Sequence, residues 1–90
     1  MPELTVRVAS ANGLHARPAS LFTQAVAKSG LAVQLTKGEK TVNAASILGV
    51  ISLGINHDDE VTIAADGDGA DALISELSGI LTTDHDGADS

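Results

Sequence analysis

The polar and apolar positions of the chain repeat with two different periods. Apolar side chains alternate with polar ones in several short segments, and this period of two is typical of half-buried strands. Two longer segments place apolar side chains three and four residues apart, which indicates amphipathic helices. A third, shorter helix is predicted between Ser46, as its N-cap, and Gly54. The predicted strands are residues 4–8, 31–36, 41–43 and 60–65, and the predicted helices are residues 16–28, 47–53 and 70–81.

These segments follow one another in the order βαββαβα. Residues 37–40 form a turn that joins the second and third strands as a hairpin, so at least these two strands are antiparallel. Helices that cover one face of an antiparallel sheet bury their apolar stripes with few elements. We therefore predict an α+β fold, an open-faced β-sandwich in which three helices cover one face of a four-stranded antiparallel sheet.

The composition is that of one small domain with an aliphatic core. The chain has 90 residues, of which 43% are hydrophobic but only 1% aromatic, so Leu, Ile, Val and Ala are expected to surround the single Phe22. The absence of cysteine excludes a disulfide, and nothing indicates an oxidising compartment. We assign residues 1–82 to the domain. Residues 83–90 are acidic and lack apolar anchors, which predicts a disordered tail.

Charge and hydropathy exclude several classes of function. Five Lys and Arg residues stand against twelve Asp and Glu, a net charge of −7, whereas nucleic-acid binding needs cations that neutralise phosphates. The N-terminus lacks the basic and apolar regions of a signal peptide, and no apolar run approaches the ~20 residues that span a bilayer. We expect a cytoplasmic, monomeric protein without membrane insertion.

No metal or cofactor site is predicted. Residues 66–71 begin like a calcium-binding loop, but Asp71 stands where that loop requires Gly, and Leu77 stands where it requires a bidentate Glu. His57 and His85 lie in acidic segments and lack the spacing of metal ligands. The acidic run at residues 58–60 is predicted to be solvated.

One short stretch carries the residue types that phosphoryl chemistry needs. Asn12 and Gly13 tolerate positive φ and predict a turn, after which His15 falls at the N-cap of the first helix. Pro18 suits the first turn of a helix, because the N–H that it lacks would have no intrahelical partner there.

A neutral imidazole is a competent nucleophile near neutral pH, and an anion bound to it needs hydrogen-bond donors. The free backbone N–H groups of Ala16 and Arg17 would face such an anion at the positive end of the helix dipole. The Arg17 guanidinium is a forked donor that pairs well with phosphate oxygens. The simpler alternative is a surface histidine that only caps the helix, but the combination with the Asn-Gly turn, Arg17 and Pro18 favours a phosphoryl acceptor.

The stretch Gly13-Leu14-His15-Ala16-Arg17-Pro18-Ala19 resembles the active-site motif of a known family. That family is HPr, the histidine-containing phosphocarrier of the bacterial phosphoenolpyruvate:sugar phosphotransferase system. Residues 41–55 resemble the regulatory-serine region of the same family, and the whole resemblance runs over about residues 4–81. It implies the open-faced sandwich and a covalent carrier that is not itself an enzyme. His15 would accept a phosphoryl group on Nδ1 from Enzyme I and pass it to sugar-specific IIA domains.

Ser46 has two interpretations. Its hydroxyl can simply cap the following helix. The resemblance instead implies a site for a dedicated HPr kinase/phosphorylase, whose product would bind a catabolite-control regulator and carry about two negative charges beside the partner surface.

The helix at residues 47–53 is apolar almost all round, so only part of it can be buried. Val50 and Leu53 are predicted in the core. Leu48, Ile51 and Ile55 are predicted to form an exposed docking patch, the alternative being that they close the core. The resemblance places the following residues on the partner surface: Ala16, Arg17, Ser20, Thr23, Gln24, Leu48, Gly49, Ile51, Ser52 and Ile55. Some family members carry lysines there, whereas this chain has Gln24, Ala27 and Gly49.

Two further functions are compatible with the same residues. One is a regulatory binding module of the same fold that acts through Ser46, although the presence of His15 favours the carrier. The other is a nitrogen-related paralogue with a different upstream kinase. A free-standing enzyme is the least supported, because no set of polar groups that could line a pocket accompanies His15.

Overall fold

A computed structural model describes residues 2–9 and 16–82, with the side chains of Ala16 and Arg17 excepted. The elements follow in the order β1 Glu3–Arg7, α1 Ala16–Ser29, β2 Ala32–Lys37, β3 Lys40–Asn43, α2 Ile47–Ser52, β4 Glu60–Asp66 and α3 Ala70–Leu81. The four strands form one antiparallel sheet in the order β1-β4-β2-β3. The predicted order of elements and the α+β open-faced sandwich are both confirmed.

The two faces of the sheet differ in polarity because successive side chains of a strand point to opposite sides. In β4, Val61, Ile63 and Ala65 are buried, whereas the residues between them are more accessible. The accessible face carries a row of threonines that crosses all four strands: Thr5, Thr62, Thr36 and Thr41. Hydroxyl contacts of 2.8 and 2.9 Å link these threonines in pairs, so this face is polar and internally hydrogen-bonded.

All three helices lie against the apolar face. α1 packs on α2 and α3, while α3 also contacts β1 and β4. Phe22 of α1 is completely buried and belongs to the same core cluster as Leu35, Ile63 and Leu77. The predicted aliphatic core around a single phenylalanine is therefore confirmed.

Element boundaries lie within one residue of those predicted, and α3 has the predicted bounds at both ends. α2 ends at Ser52, with Leu53 as its C-cap, and α1 continues to Ser29. Ser46 is the N-cap of α2, as predicted, and its hydroxyl oxygen accepts the N–H of Gly49 at 3.1 Å. The hairpin between β2 and β3 has a two-residue loop, and φ of +61° at Gly38 matches a type II′ turn, in which glycine is preferred at the first loop position.

The turn from β4 into α3 contains a glycine in a backbone conformation that other residues rarely adopt. Gly67 has φ of +118°, and a Cβ added there would lie 2.8 Å from Cδ2 of Leu31, the far end of a flexible side chain. The backbone conformation therefore favours glycine, and Leu31 would have to move to admit a side chain.

Substitution by alanine at Gly67 and at Gly79 should change the free energy of unfolding in opposite directions. Gly79 lies inside α3 with helical backbone and open space around it, so Gly79→Ala should raise the free energy of unfolding by about 0.5–1 kcal/mol. Gly67→Ala should lower it by about 1–3 kcal/mol, because alanine is strained at that φ and meets Leu31. Urea denaturation followed by far-UV circular dichroism measures both values. Equal stability of the two variants would show that this account of the turn is wrong.

Candidate functional site

The candidate site lies at the N-terminal end of α1. The helix begins at Ala16, directly after His15, so the first backbone N–H groups of α1 have no partner within the helix. Pro18 lies in the first turn, as predicted, and is buried together with Ala19 and Phe22. This burial fixes the helix end against the core, and the end of the helix is favourable for an anion.

Several residues of the predicted motif lie outside the described part of the chain. These are Asn12, Gly13, Leu14 and His15 as a whole, together with the side chains of Ala16 and Arg17. The roles of His15 and Arg17 accordingly stay predictions.

The chain before this stretch is held by hydrogen bonds to two other elements. The N–H of Val8 donates to the carbonyl of Asp59 at 3.0 Å, and the carbonyl of Val8 accepts the N–H of Asp58 at 2.8 Å. The N–H of Ala9 donates to the carbonyl of Leu81 at the end of α3, also at 3.0 Å. The Val8 side chain is buried as well, so the chain is fixed just before residues 10–15. The buried Pro18 of α1 fixes the chain after them.

The loop at residues 54–59, between α2 and β4, has its own polar cluster. The Lys37 ammonium donates to the carbonyl of Gly54 at 2.7 Å and lies 2.9 Å from the carboxylate of Asp59. The same carboxylate oxygen accepts the N–H of Asn56 at 2.8 Å. The Asn56 N–H and the Lys37 ammonium hold the pKa of the Asp59 carboxyl below its usual value.

The prediction that the acidic run at residues 58–60 is solvated is confirmed for Asp58 and Glu60, which are exposed, and is corrected at Asp59. Asp59 is only partly exposed, and its partner Lys37 comes from a strand 22 residues earlier in the chain, so no local sequence signal indicates the pair. Glu60 is exposed, and its Oε2 pairs with the Arg7 guanidinium of the neighbouring strand β1 at 3.1 Å.

The described part of the predicted partner surface divides into exposed and buried residues. Leu48 is 78% exposed and Ile51 44%. Gln24 and Ser52 are exposed as well, while Ser20 and Gly49 are partly accessible. Exposure makes these residues available to a partner without testing whether one binds.

Two of the predicted surface residues are buried, which corrects their assignment. Thr23 is 7% exposed, because α2 and α3 both pack against α1 and cover more than one stripe of it. The Thr23 hydroxyl is satisfied locally, since it donates to the carbonyl of Ser20 at 3.1 Å.

Ile55 is the second correction, being 5% exposed and part of the core. The prediction extended the helical period of α2 through Gly54, whereas Gly54 has φ of +64° and turns the chain out of the helix. Val50 and Leu53 are buried, as predicted.

Two exposed aliphatic residues of α1 and α2 were missed by the sequence analysis. Leu21 and Ile47 are about as accessible as Ile51, although Leu21 lies in a helix whose other large apolar residues are buried. We define the aliphatic patch as Leu21, Ile47, Leu48 and Ile51. Neither α1 nor α2 contains an Asp or Glu, so the two helices that carry the patch add no negative charge to it.

Among residues 2–9 and 16–82, no three histidines or carboxylates are grouped so that they could hold a metal ion. None of the helices in these ranges is long and apolar enough to span a membrane.

Comparison with known proteins identifies the family. The family model described as "PTS HPr component phosphorylation site" matches residues 2–83. The phosphocarrier protein HPr of Streptomyces coelicolor is 42% identical over 82 residues, which cover 90% of this chain and 88% of that protein. The chain belongs to the PTS HPr family. It is thus a phosphocarrier of the phosphotransferase system, and the resemblance drawn from the sequence motifs is confirmed.

Two further relatives support the family and the fold. The HPr of Haloferax volcanii is 45% identical over 83 residues, covering 90% of this chain and 93% of that protein. The crystal structure of HPr-C-His from Thermoanaerobacter tengcongensis superposes with a TM-score of 0.86 at 38% identity, over 90% of this chain and 91% of that one.

The corrected surface predicts that alanine substitution lowers stability much more at Ile55 than at Leu48. Ile55→Ala should lower the free energy of unfolding by about 2–5 kcal/mol, because it leaves a cavity in the core. Leu48→Ala should change it by less than about 0.5 kcal/mol, because the side chain is mostly in water. Urea denaturation of both variants measures the difference, and a stability loss at Leu48 as large as at Ile55 would contradict the exposed assignment.

Proposed function

We propose that His15 is the phosphoryl acceptor, that Enzyme I is the donor, and that sugar-specific IIA domains receive the group. The observation that carries this proposal is the family match over residues 2–83, which spans the His15 motif. It is supported by the start of α1 at Ala16, because the residue directly before a helix lies beside unpaired N–H groups. The chain is then a co-substrate of Enzyme I and of the IIA domains, and is not itself an enzyme.

The transfer itself needs a nucleophile and stabilisation of the phosphoryl charge. A neutral imidazole nitrogen of His15, Nδ1 by the family resemblance, forms a bond to phosphorus as the bond from phosphorus to the donor nitrogen breaks. The backbone N–H groups of Ala16 and Arg17 and the Arg17 guanidinium stabilise the transferred oxygens. The next transfer reverses these roles, with His15 as the leaving group.

The aliphatic patch is the proposed docking surface for both partners. It lies on α1 and α2, and α1 is the helix that begins beside His15. Ser20, Gln24, Gly49 and Ser52 complete this surface, and the side chain of Gln24 donates to the hydroxyl of Ser20 at 3.1 Å. Lysines are absent from these positions, so partner binding should depend more on apolar contact than on salt.

Ser46 is the proposed site of regulation, through a kinase of the HPr kinase/phosphorylase type and a catabolite-control regulator. The support is its position: Ser46 is exposed and is adjacent in the chain to Ile47 of the aliphatic patch. A phosphate there adds about 1.5–2 negative charges to a surface whose helices contain no carboxylates. Docking must then desolvate these charges, which weakens binding of a partner with an apolar surface.

The acceptor role is tested by intact-mass spectrometry. After incubation with phosphoenolpyruvate, Mg²⁺ and a bacterial Enzyme I, the wild-type chain should gain one acid-labile phosphoryl group. His15→Ala should gain none, because it lacks the nucleophile.

The control is circular dichroism of His15→Ala, whose spectrum should match that of the wild type. Phosphorylation of the folded variant would exclude His15 as the acceptor. A wild-type chain that gains no phosphate from a competent Enzyme I would favour the regulatory module or a carrier with another upstream donor.

The regulatory role predicts different effects of two substitutions at Ser46. Ser46→Asp keeps an N-cap but adds charge, so it should slow transfer from Enzyme I at unchanged stability. Ser46→Ala removes the cap, which lowers the free energy of unfolding by about 1 kcal/mol, yet it should leave transfer unchanged. Rapid-quench kinetics and urea denaturation separate the two effects. Unchanged transfer in Ser46→Asp would count against regulation by charge at this residue.

A further inference from the structure

We propose that Lys37 is a positioning residue for phosphoryl transfer, acting through Asp59 and the loop at residues 54–59 on the chain that leads to His15. This inference rests on the proposed acceptor role of His15. It concerns a residue of β2 that belongs neither to the predicted motif nor to the aliphatic patch.

The first step is the closure of the loop by one ammonium group. Lys37 Nζ donates to the carbonyl of Gly54 at 2.7 Å and lies 2.9 Å from Oδ2 of Asp59. Gly54 and Asp59 are the two ends of the loop, so a single side chain ties both ends to the last residue of β2. The Asn56 side chain donates to the same Gly54 carbonyl at 3.3 Å.

The second step connects the loop to the end of β1. Asp59 uses its carboxylate for Lys37 and Asn56, and its backbone carbonyl accepts the N–H of Val8. The preceding residue, Asp58, donates its N–H to the carbonyl of Val8. Both main-chain hydrogen bonds of Val8 therefore depend on the conformation of the loop, and Val8 lies seven residues before His15.

The third step is that the loop holds an unfavourable conformation at one residue. Asp58 has φ of +70°, and in the part of the chain that the structure describes it is the only residue other than glycine with positive φ. This left-handed conformation is uncommon for a residue with a Cβ, although Asp tolerates it better than most, so the contacts on either side help to fix it. Lys37 makes such contacts on both sides of Asp58, with Gly54 and with Asp59.

A positioning role and a purely structural role of this ion pair predict different effects on stability and on kcat. Lys37 and Asp59 are each about a third exposed, and partly exposed pairs contribute little to global stability. Small displacements of a reacting group, in contrast, lower transfer rates strongly. Loss of the pair should therefore reduce kcat much more than it reduces stability.

The test compares two lysines at matched positions. Lys37→Met and Lys40→Met remove the same charge from residues that lie directly opposite each other in the β2–β3 pair. With Enzyme I and phosphoenolpyruvate, Lys37→Met should lower kcat about tenfold, because Val8, on the chain before His15, is held less firmly, while KM stays within about twofold. Lys40→Met, which is exposed on the edge strand, should keep both constants within about twofold of the wild type. Lys37→Arg retains a cationic donor and should recover most of the lost kcat.

Hydrogen exchange gives a readout that does not depend on transfer. In Lys37→Met and in Asp59→Asn, the amides of Val8, Asn56 and Asp58 should exchange faster, while that of Ile63 in the core of β4 stays protected. A wild-type kcat in Lys37→Met, a loss confined to KM, or exchange that rises equally at Ile63 would each overturn the proposal. If the wild type itself accepts no phosphoryl group, the proposed function fails, whereas exchange at Val8 still shows whether Lys37 holds the loop.

Discussion

The burial of one face of the β-sheet under α1 and α3 is the interaction on which the rest of the structure depends. Phe22, Leu35, Ile63 and Leu77 meet in this layer and have no exposed surface. A small domain without disulfides has no other large source of stability, since most of its favourable free energy comes from apolar burial. The opposite face of the sheet is consequently left to threonines and other polar side chains, which hydrogen-bond to one another and to water.

This layer also fixes the N-terminal end of α1. α1 packs on α2 and α3 and buries Phe22, and Pro18 of its first turn is buried as well. The end of β1 and the end of α3 meet where the Ala9 N–H donates to the Leu81 carbonyl. The described residues on either side of residues 10–15 are thereby held by the core and by main-chain hydrogen bonds.

The distribution of charge and apolar surface is consistent with serial partners. Most of the twelve acidic residues of this chain follow residue 57, in the loop before β4, in β4 and α3, and in the C-terminal segment, while α1 and α2 contain none. On the docking surface that we propose, these helices therefore add little like-charge repulsion. Its four exposed aliphatic side chains offer a small apolar area, which limits how tightly any one of the proposed partners can bind.

The sequence by itself determined the elements, their order, the aliphatic core and the family, because these depend on local periodicity, turn residues and contiguous motifs. The Ser46 cap and the helical position of Pro18 follow from the same local rules. Only the tertiary structure decided the exposure of Ile55 and Thr23. Burial depends on which neighbours pack over a residue, and Gly54 changes the direction of the chain where a helical period would continue it. The pairing of Lys37 with Asp59 was decided in the same way, since these residues are distant in the chain and meet only when β2 lies beside β4 in the sheet.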